Sequence, residues 1–248
     1  MMRVLVPLAI LDGETVSPGL MDLLGTMDVT VLGYQLLPEQ TPPDQARAQF
    51  EERATSALED VTAEFREAGG DADHRLVFTG DRRQSIDRVA TDVGARAYAI
   101  NGATGTVERL LVPLSGDVAV ERILEFVAAL VGERAIGVTL LVVGEEDPAE
   151  PRLSDAADQL AAMGVDVATR RGTGNPLDAL VDAVAGHDAV VMGQRAPSLA
   201  SLVWGGAEDR VAAASVGPVL VVRREDADTA PDQGRDLTPR PARRRAPV

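Results

Sequence analysis

Arg3-Val4-Leu5-Val6-Pro7-Leu8 recurs as Arg109-Leu110-Leu111-Val112-Pro113-Leu114, 106 positions later. Each copy is a short, continuous apolar run, the pattern of a strand covered on both faces. Val29-Thr30-Val31-Leu32 recurs as Val138-Thr139-Leu140-Leu141 at an offset of 109. Gly80-Asp81 opens a helical pattern that ends at Val93-Gly94, and Gly174-Asn175-Pro176 opens one that ends at Ala185-Gly186. Matched elements in one order, at nearly one offset, indicate a duplicated unit. The expected division is a first repeat over residues 1–107, a second over 108–224 and a tail over 225–248.

Between the strand-like runs the period changes to that of a helix. Ala46, Phe50, Ala54, Leu58, Val61 and Phe65 form one apolar stripe, and Val120, Ile123, Leu124, Val127, Leu130 and Val131 form another. Asn175 before Pro176 is an N-cap followed by proline at the first helical position. Residues 97–100, 138–143, 189–192 and 217–222 read as further strands. Strands alternating with helices at this rhythm specify βαβ units and a parallel sheet. The second repeat has room for five strands. The first has room for four, because residues 101–107 lead directly from its fourth strand into Arg109.

Composition narrows the function. The 248 residues carry 24 cations and 39 acids, for a net charge of -15. Every cation is arginine. Such a surface repels nucleic acid and anionic lipid, so neither is an expected partner. The absence of cysteine excludes disulfides, thiolate metal sites and cysteine nucleophiles. Two histidines, His74 and His187, are too few for a histidine metal site, and no metal is expected. No apolar run approaches the ~20 residues of a membrane span, and Pro7 interrupts the N-terminal one, so a cytoplasmic protein without direct membrane insertion is expected. At about 1 M salt the Debye length is about 3 Å, which screens the self-repulsion of an acidic surface; the charge reads as adaptation to a high-salt cytoplasm. The tail holds five acids, five arginines and four prolines with almost no large apolar residue, a composition expected to be disordered.

In an open parallel sheet ligands bind at the carboxyl ends of the strands. For the second repeat that rim comprises Pro113, Leu114 and Ser115, then Val143, then Met192, Gly193 and Gln194, with Gly205, Gly206 and Ala207 before a further helix. Glycines ahead of a helix let backbone N–H groups approach phosphate. Asp12, Glu14 and Asp117 follow the two first strands, but carboxylates near loops are common on so acidic a chain. Trp204 reads as a loop anchor. His74, placed before a strand, and His187, in a turn, read as surface histidines. Leu114-Ser115-Gly116-Asp117 lacks the second glycine of a pyrophosphate loop, and there is no Gly-x-Ser-x-Gly or Walker loop, so no catalysis is expected.

The Val-Pro end of the first strand, Val190-Val191-Met192-Gly193, the run Gly205-Gly206-Ala207-Glu208-Asp209-Arg210-Val211 and Gly217-Pro218-Val219-Leu220-Val221-Val222 together resemble the universal stress protein family. The resemblance implies an α/β fold of two tandem flavodoxin-like repeats, of the adenine nucleotide alpha hydrolase-like type, the first without its fifth strand. It also implies a regulatory or interaction role and the possibility of ATP or AMP as a bound ligand. Members that bind ATP do so through Gly-x2-Gly-x9-Gly-Ser/Thr, with an Asp after the first strand. Here Gly193 and Gly205 match. Ala196 replaces the second glycine, the spacing is one residue short, Gly206 replaces the hydroxyl residue and Ser115 replaces the Asp. The first repeat has Ala9 at the Asp position and no phosphate loop. By the same resemblance, residues 217–222 are an apolar outer strand that joins two chains as a homodimer. A membrane transporter is a further partner, since similar tandem domains occur beside transporters.

Overall fold

The computed structural model describes residues 1–38, 42–114, 120–143, 149–174, 176–194 and 217–224. These form nine strands: β1 Arg3–Leu8, β2 Asp28–Leu36, β3 Asp71–Thr79, β4 Ala97–Ile100, β5 Arg109–Pro113, β6 Gly137–Val143, β7 Val167–Gly172, β8 Ala189–Gly193 and β9 Val219–Val222. The helices are α1 Pro18–Leu24, α2 Pro43–Glu67, α3 Arg82–Asp92, α4 Val120–Val131, α5 Ala149–Ala162 and α6 Pro176–Val184, with a 3-10 turn over Ile10–Asp12. Local chemistry sets the helix starts. Asp81 caps α3 by accepting a hydrogen bond from the Gln84 N–H at 2.9 Å. Proline stands in the first turn of α1, α2 and α6, where a missing N–H costs nothing.

All nine strands join one sheet in the order β3-β2-β1-β4-β9-β8-β5-β6-β7. The order β3-β2-β1-β4 on one side matches β7-β6-β5-β8 on the other. Within each group the pairing is parallel, and the single antiparallel junction is β4 with β9. α1, α2, α4 and α5 cover one face, where Leu20, Leu58, Phe126 and Leu160 pack with Val4, Val31, Leu110 and Leu140. α3 and α6 cover the other through Ile86, Val89, Leu180 and Ala183. Apolar residues of both halves contribute to each layer. Arg134, just past α4, donates from Nη1 to Asp22 O at 2.9 Å and from Nη2 to Leu23 O at 3.0 Å, tying the end of α1 to the end of α4.

The position of β9 corrects the expectation of an outer strand that pairs with a second chain. β9 is the fifth of nine strands. Its register is Val190↔Val219 and Val191↔Leu220 on one side and Ala99↔Leu220 and Ala97↔Val222 on the other. The physical reason lies in the shortened first repeat. A missing fifth strand leaves β4 with an open edge, and the nearest apolar strand to fill it is β9 of the same chain. With both edges paired, β9 is apolar because it is central. A homodimer through 217–222 is therefore excluded by the intrachain pairing. Arg223, expected to shield an edge, is instead 8% exposed. Its Nη2 donates to Thr91 Oγ1 at 2.7 Å and its N–H to Arg96 O at 2.9 Å. The true outer strands, β3 and β7, carry Asp71, Asp73, Arg75, Arg170 and Arg171, charges that discourage edge pairing.

Tyr98 of β4 is 6% exposed. Burial first, then the Asp87 carboxylate, pushes its phenol up to about 12, against the opposing pull of Arg83, Arg223 and Arg82. The folded chain therefore holds this proton where the unfolded chain, with an ordinary value of 10.0, has released it. Stability from Tyr98 is complete below pH 10 and is lost as the pH rises toward 12, by about 2 kcal/mol. Denaturant titrations at pH 9 and 11.5 should show this fall, and Tyr98→Phe should flatten it.

Candidate functional site

β6, β5 and β8 are neighbours, so their carboxyl ends lie side by side. Leu111 pairs with Val190, which carries Pro113 to the level of Met192. Val143 ends β6, two residues beyond the Leu141 partner of Pro113. Of the residues proposed from sequence, the structure thus brings together Pro113, Leu114, Val143, Met192, Gly193 and Gln194. Ser115, Gly205, Gly206 and Ala207 lie outside the described residues, as do Asp117, Trp204 and the tail over 225–248.

The backbone of this rim is already engaged. The Leu114 N–H donates to Leu141 O at 2.8 Å and the Gln194 N–H to Val222 O at 2.7 Å. The Gln194 side chain accepts from the Arg224 N–H through Oε1 at 3.3 Å. The end of β9 is thus stapled to the rim, a contact the sequence reading missed. The signal that could have found it is the short first repeat, which obliges β9 and the residues after it to turn inward.

The equivalent rim of the first half is closed by its own chain. The Ala9 N–H donates to Glu14 Oε2 at 2.7 Å. Asp12 N–H returns to Ala9 O at 2.9 Å, and Gly13 takes φ 77° to complete the turn. From the end of β4, Asn101 Nδ2 donates to Thr15 O, and Asn101 Oδ1 accepts from the Ser17 N–H at 3.4 Å. Residues 9–17 are thereby pinned across the ends of β1 and β4. At the end of β2, the Arg82 guanidinium stacks over Tyr34, 4.9 Å from its ring centre.

The histidines stand differently from expectation. His74 lies within β3, paired with Val31, rather than ahead of a strand. His187 is no loose surface residue. Its Nδ1 lies 2.7 Å from Ala183 O and its Nε2 2.8 Å from Thr139 Oγ1, so the ring ties α6 to β6. Both outcomes come from tertiary packing, which one residue type in a turn does not reveal. Beside it, Asp188 Oδ2 accepts from the Glu108 and Arg109 N–H groups at 2.9 and 2.8 Å and fixes the start of β5. Among the described residues no group of three or more His, Asp or Glu gathers as a metal site, and no helix is long and apolar enough to cross a membrane.

No family model and no curated protein matches the sequence. Among solved structures, a universal stress protein from Archaeoglobus fulgidus shares 19% identity, covers 91% of this chain and 97% of its own, and superposes with a TM-score of 0.65. The chain has the universal stress protein fold. A universal stress protein family protein from Arabidopsis thaliana with AMP bound shares 19% identity over 50% of this chain and 97% of its own, with a TM-score of 0.35. The cytoplasmic domain of a prokaryotic cation chloride cotransporter shares 11% identity over 89% of this chain and 94% of its own, with a TM-score of 0.46.

Proposed function

We propose that the chain is a non-catalytic regulatory or interaction protein of the universal stress protein family, built from two repeats and adapted to a high-salt cytoplasm. The observation that carries the proposal is the first-half rim, where Glu14 and Asn101 bind the backbone amides and carbonyls of residues 9–17. A pocket filled by its own chain supports a scaffold role for residues 1–107. The net charge of -15 supports the salt adaptation. A regulated partner protein follows from such a role, with a membrane transporter as one candidate by analogy of fold.

A second function is an adenine nucleotide sensor acting through the second repeat. Its support is the convergence of Pro113, Val143, Met192 and Gly193 at the ends of adjacent strands, where ligands bind in open parallel sheets. Calorimetric titration with ATP and AMP in about 1 M salt separates the two. A regulatory scaffold takes up neither nucleotide at micromolar concentration, whereas saturable micromolar binding would establish the sensor, and turnover would contradict both. If the second-repeat pocket is intact, Gly206→Ser with Ser115→Asp should strengthen ATP binding between a few-fold and about a hundredfold, from one hydroxyl and one charged contact. An unchanged titration of that double variant would mean that the pocket is closed.

A further inference from the structure

The first half carries a second concavity, on the other face of the sheet from the Tyr34–Arg82 stack. A Cβ placed on Gly33 of β2 would meet Leu58 of α2, so alternate residues of β2 point toward α2, and Gln35 continues that series. Beyond it, a cleft of about 430 Å³ opens between the end of β2 and the first half of α2. Leu11, Leu36 and Phe50 supply apolar walls, and Gln35, Gln49 and Arg53 supply polar groups. The volume lies in the range of small-molecule sites.

Two observations there ask for a ligand. Gln35 Oε1 is buried and has no hydrogen-bond partner, while its Nε2 donates to Leu36 O at 3.2 Å. That donation fixes the amide orientation, since a flipped amide would set two oxygens against each other. A buried acceptor without a donor is a standing cost that an incoming O–H or N–H removes. Leu36, at the mouth, is 46% exposed, a large apolar side chain left in water. Arg53 makes no hydrogen bond or ion pair with any other residue and stands beside the cleft on an otherwise acidic chain.

We propose that this cleft binds a small planar organic anion that carries a hydrogen-bond donor. Its ring lies against Phe50 and Leu11 and covers Leu36. Its donor reaches Gln35 Oε1, and its anionic group pairs with Arg53. The site is independent of the second-repeat rim, because the two lie on different halves of the chain.

4-Hydroxybenzoate is a suitable probe, with benzoate lacking the donor and 4-hydroxybenzyl alcohol lacking the charge. Saturation-transfer NMR at millimolar ligand should show 4-hydroxybenzoate bound more tightly than either control. Arg53→Glu, an exposed substitution, should weaken it about tenfold or more, the worth of a charge-assisted contact. Gln35→Leu should abolish the preference over benzoate and also raise the melting temperature, because it removes the orphaned acceptor. No transfer to 4-hydroxybenzoate, or transfer of equal strength in wild type and either variant, would overturn the proposal.

Discussion

Leu220→Pro should leave no folded protein at room temperature. Leu220 is fully buried at the centre of β9. The Val190 N–H donates to Pro218 O and the Gln194 N–H to Val222 O, so even-numbered residues of β9 direct their backbone groups at β8. Proline at 220 therefore deletes a ladder bond in the middle of the sheet, removes a buried leucine and breaks the packing of β4. A cost of about 3 kcal/mol for the backbone and about 3 more for the side chain matches the whole stability of an ordinary domain. Far-ultraviolet circular dichroism and a denaturant midpoint would register the loss. Were β9 an outer strand joining two chains, the same substitution would yield folded monomers.

Gly217→Ala should cost about 3 kcal/mol, although alanine is small and the site is short of the strand. A Cβ at 217 would overlap the Asp188 carbonyl oxygen. That carbonyl cannot move aside, because the Asp188 N–H is bonded to Arg109 O and its carboxylate holds the start of β5. The clash must be relieved by displacing β9, which weakens its registers with β8 and β4 together. Gly105→Ala is the control, since a Cβ there meets nothing within 4 Å. Urea midpoints should fall sharply for the first and stay within experimental error for the second.

Much of this architecture is legible in the sequence. The repeated Arg3–Leu8 strand, the Asp81 cap and the apolar stripes of α2 and α4 are local patterns, and each became the element it predicts. The count of four strands followed by five also holds. What sequence could not supply was the closure of the sheet. Residues 217–222 look the same whether they are an apolar edge or a buried centre, because a free edge and a covered strand share one composition. The difference depends on β4, over a hundred positions away. The rim divides likewise. Pro113, Val143, Met192 and Gly193 follow from the rule that loops at strand ends meet. The Glu14 carboxylate on the Ala9 N–H and the Gln194–Arg224 contact are side-chain pairings that no periodicity encodes.

The central claim is that one chain completes its own sheet through β4 and β9. Arg223 and Arg96 share a hydrogen bond, so the adjacent pair Ala97 and Val222 is non-hydrogen-bonded, where Cα atoms approach to about 4.5 Å, within disulfide range. The chain has no cysteine of its own, so Ala97→Cys with Val222→Cys introduces the only two thiols. After refolding under mild oxidation, non-reducing electrophoresis and intact mass should show an intrachain disulfide at the monomer mass of 26.1 kDa. Disulfide-linked dimers in place of that monomer would contradict the account.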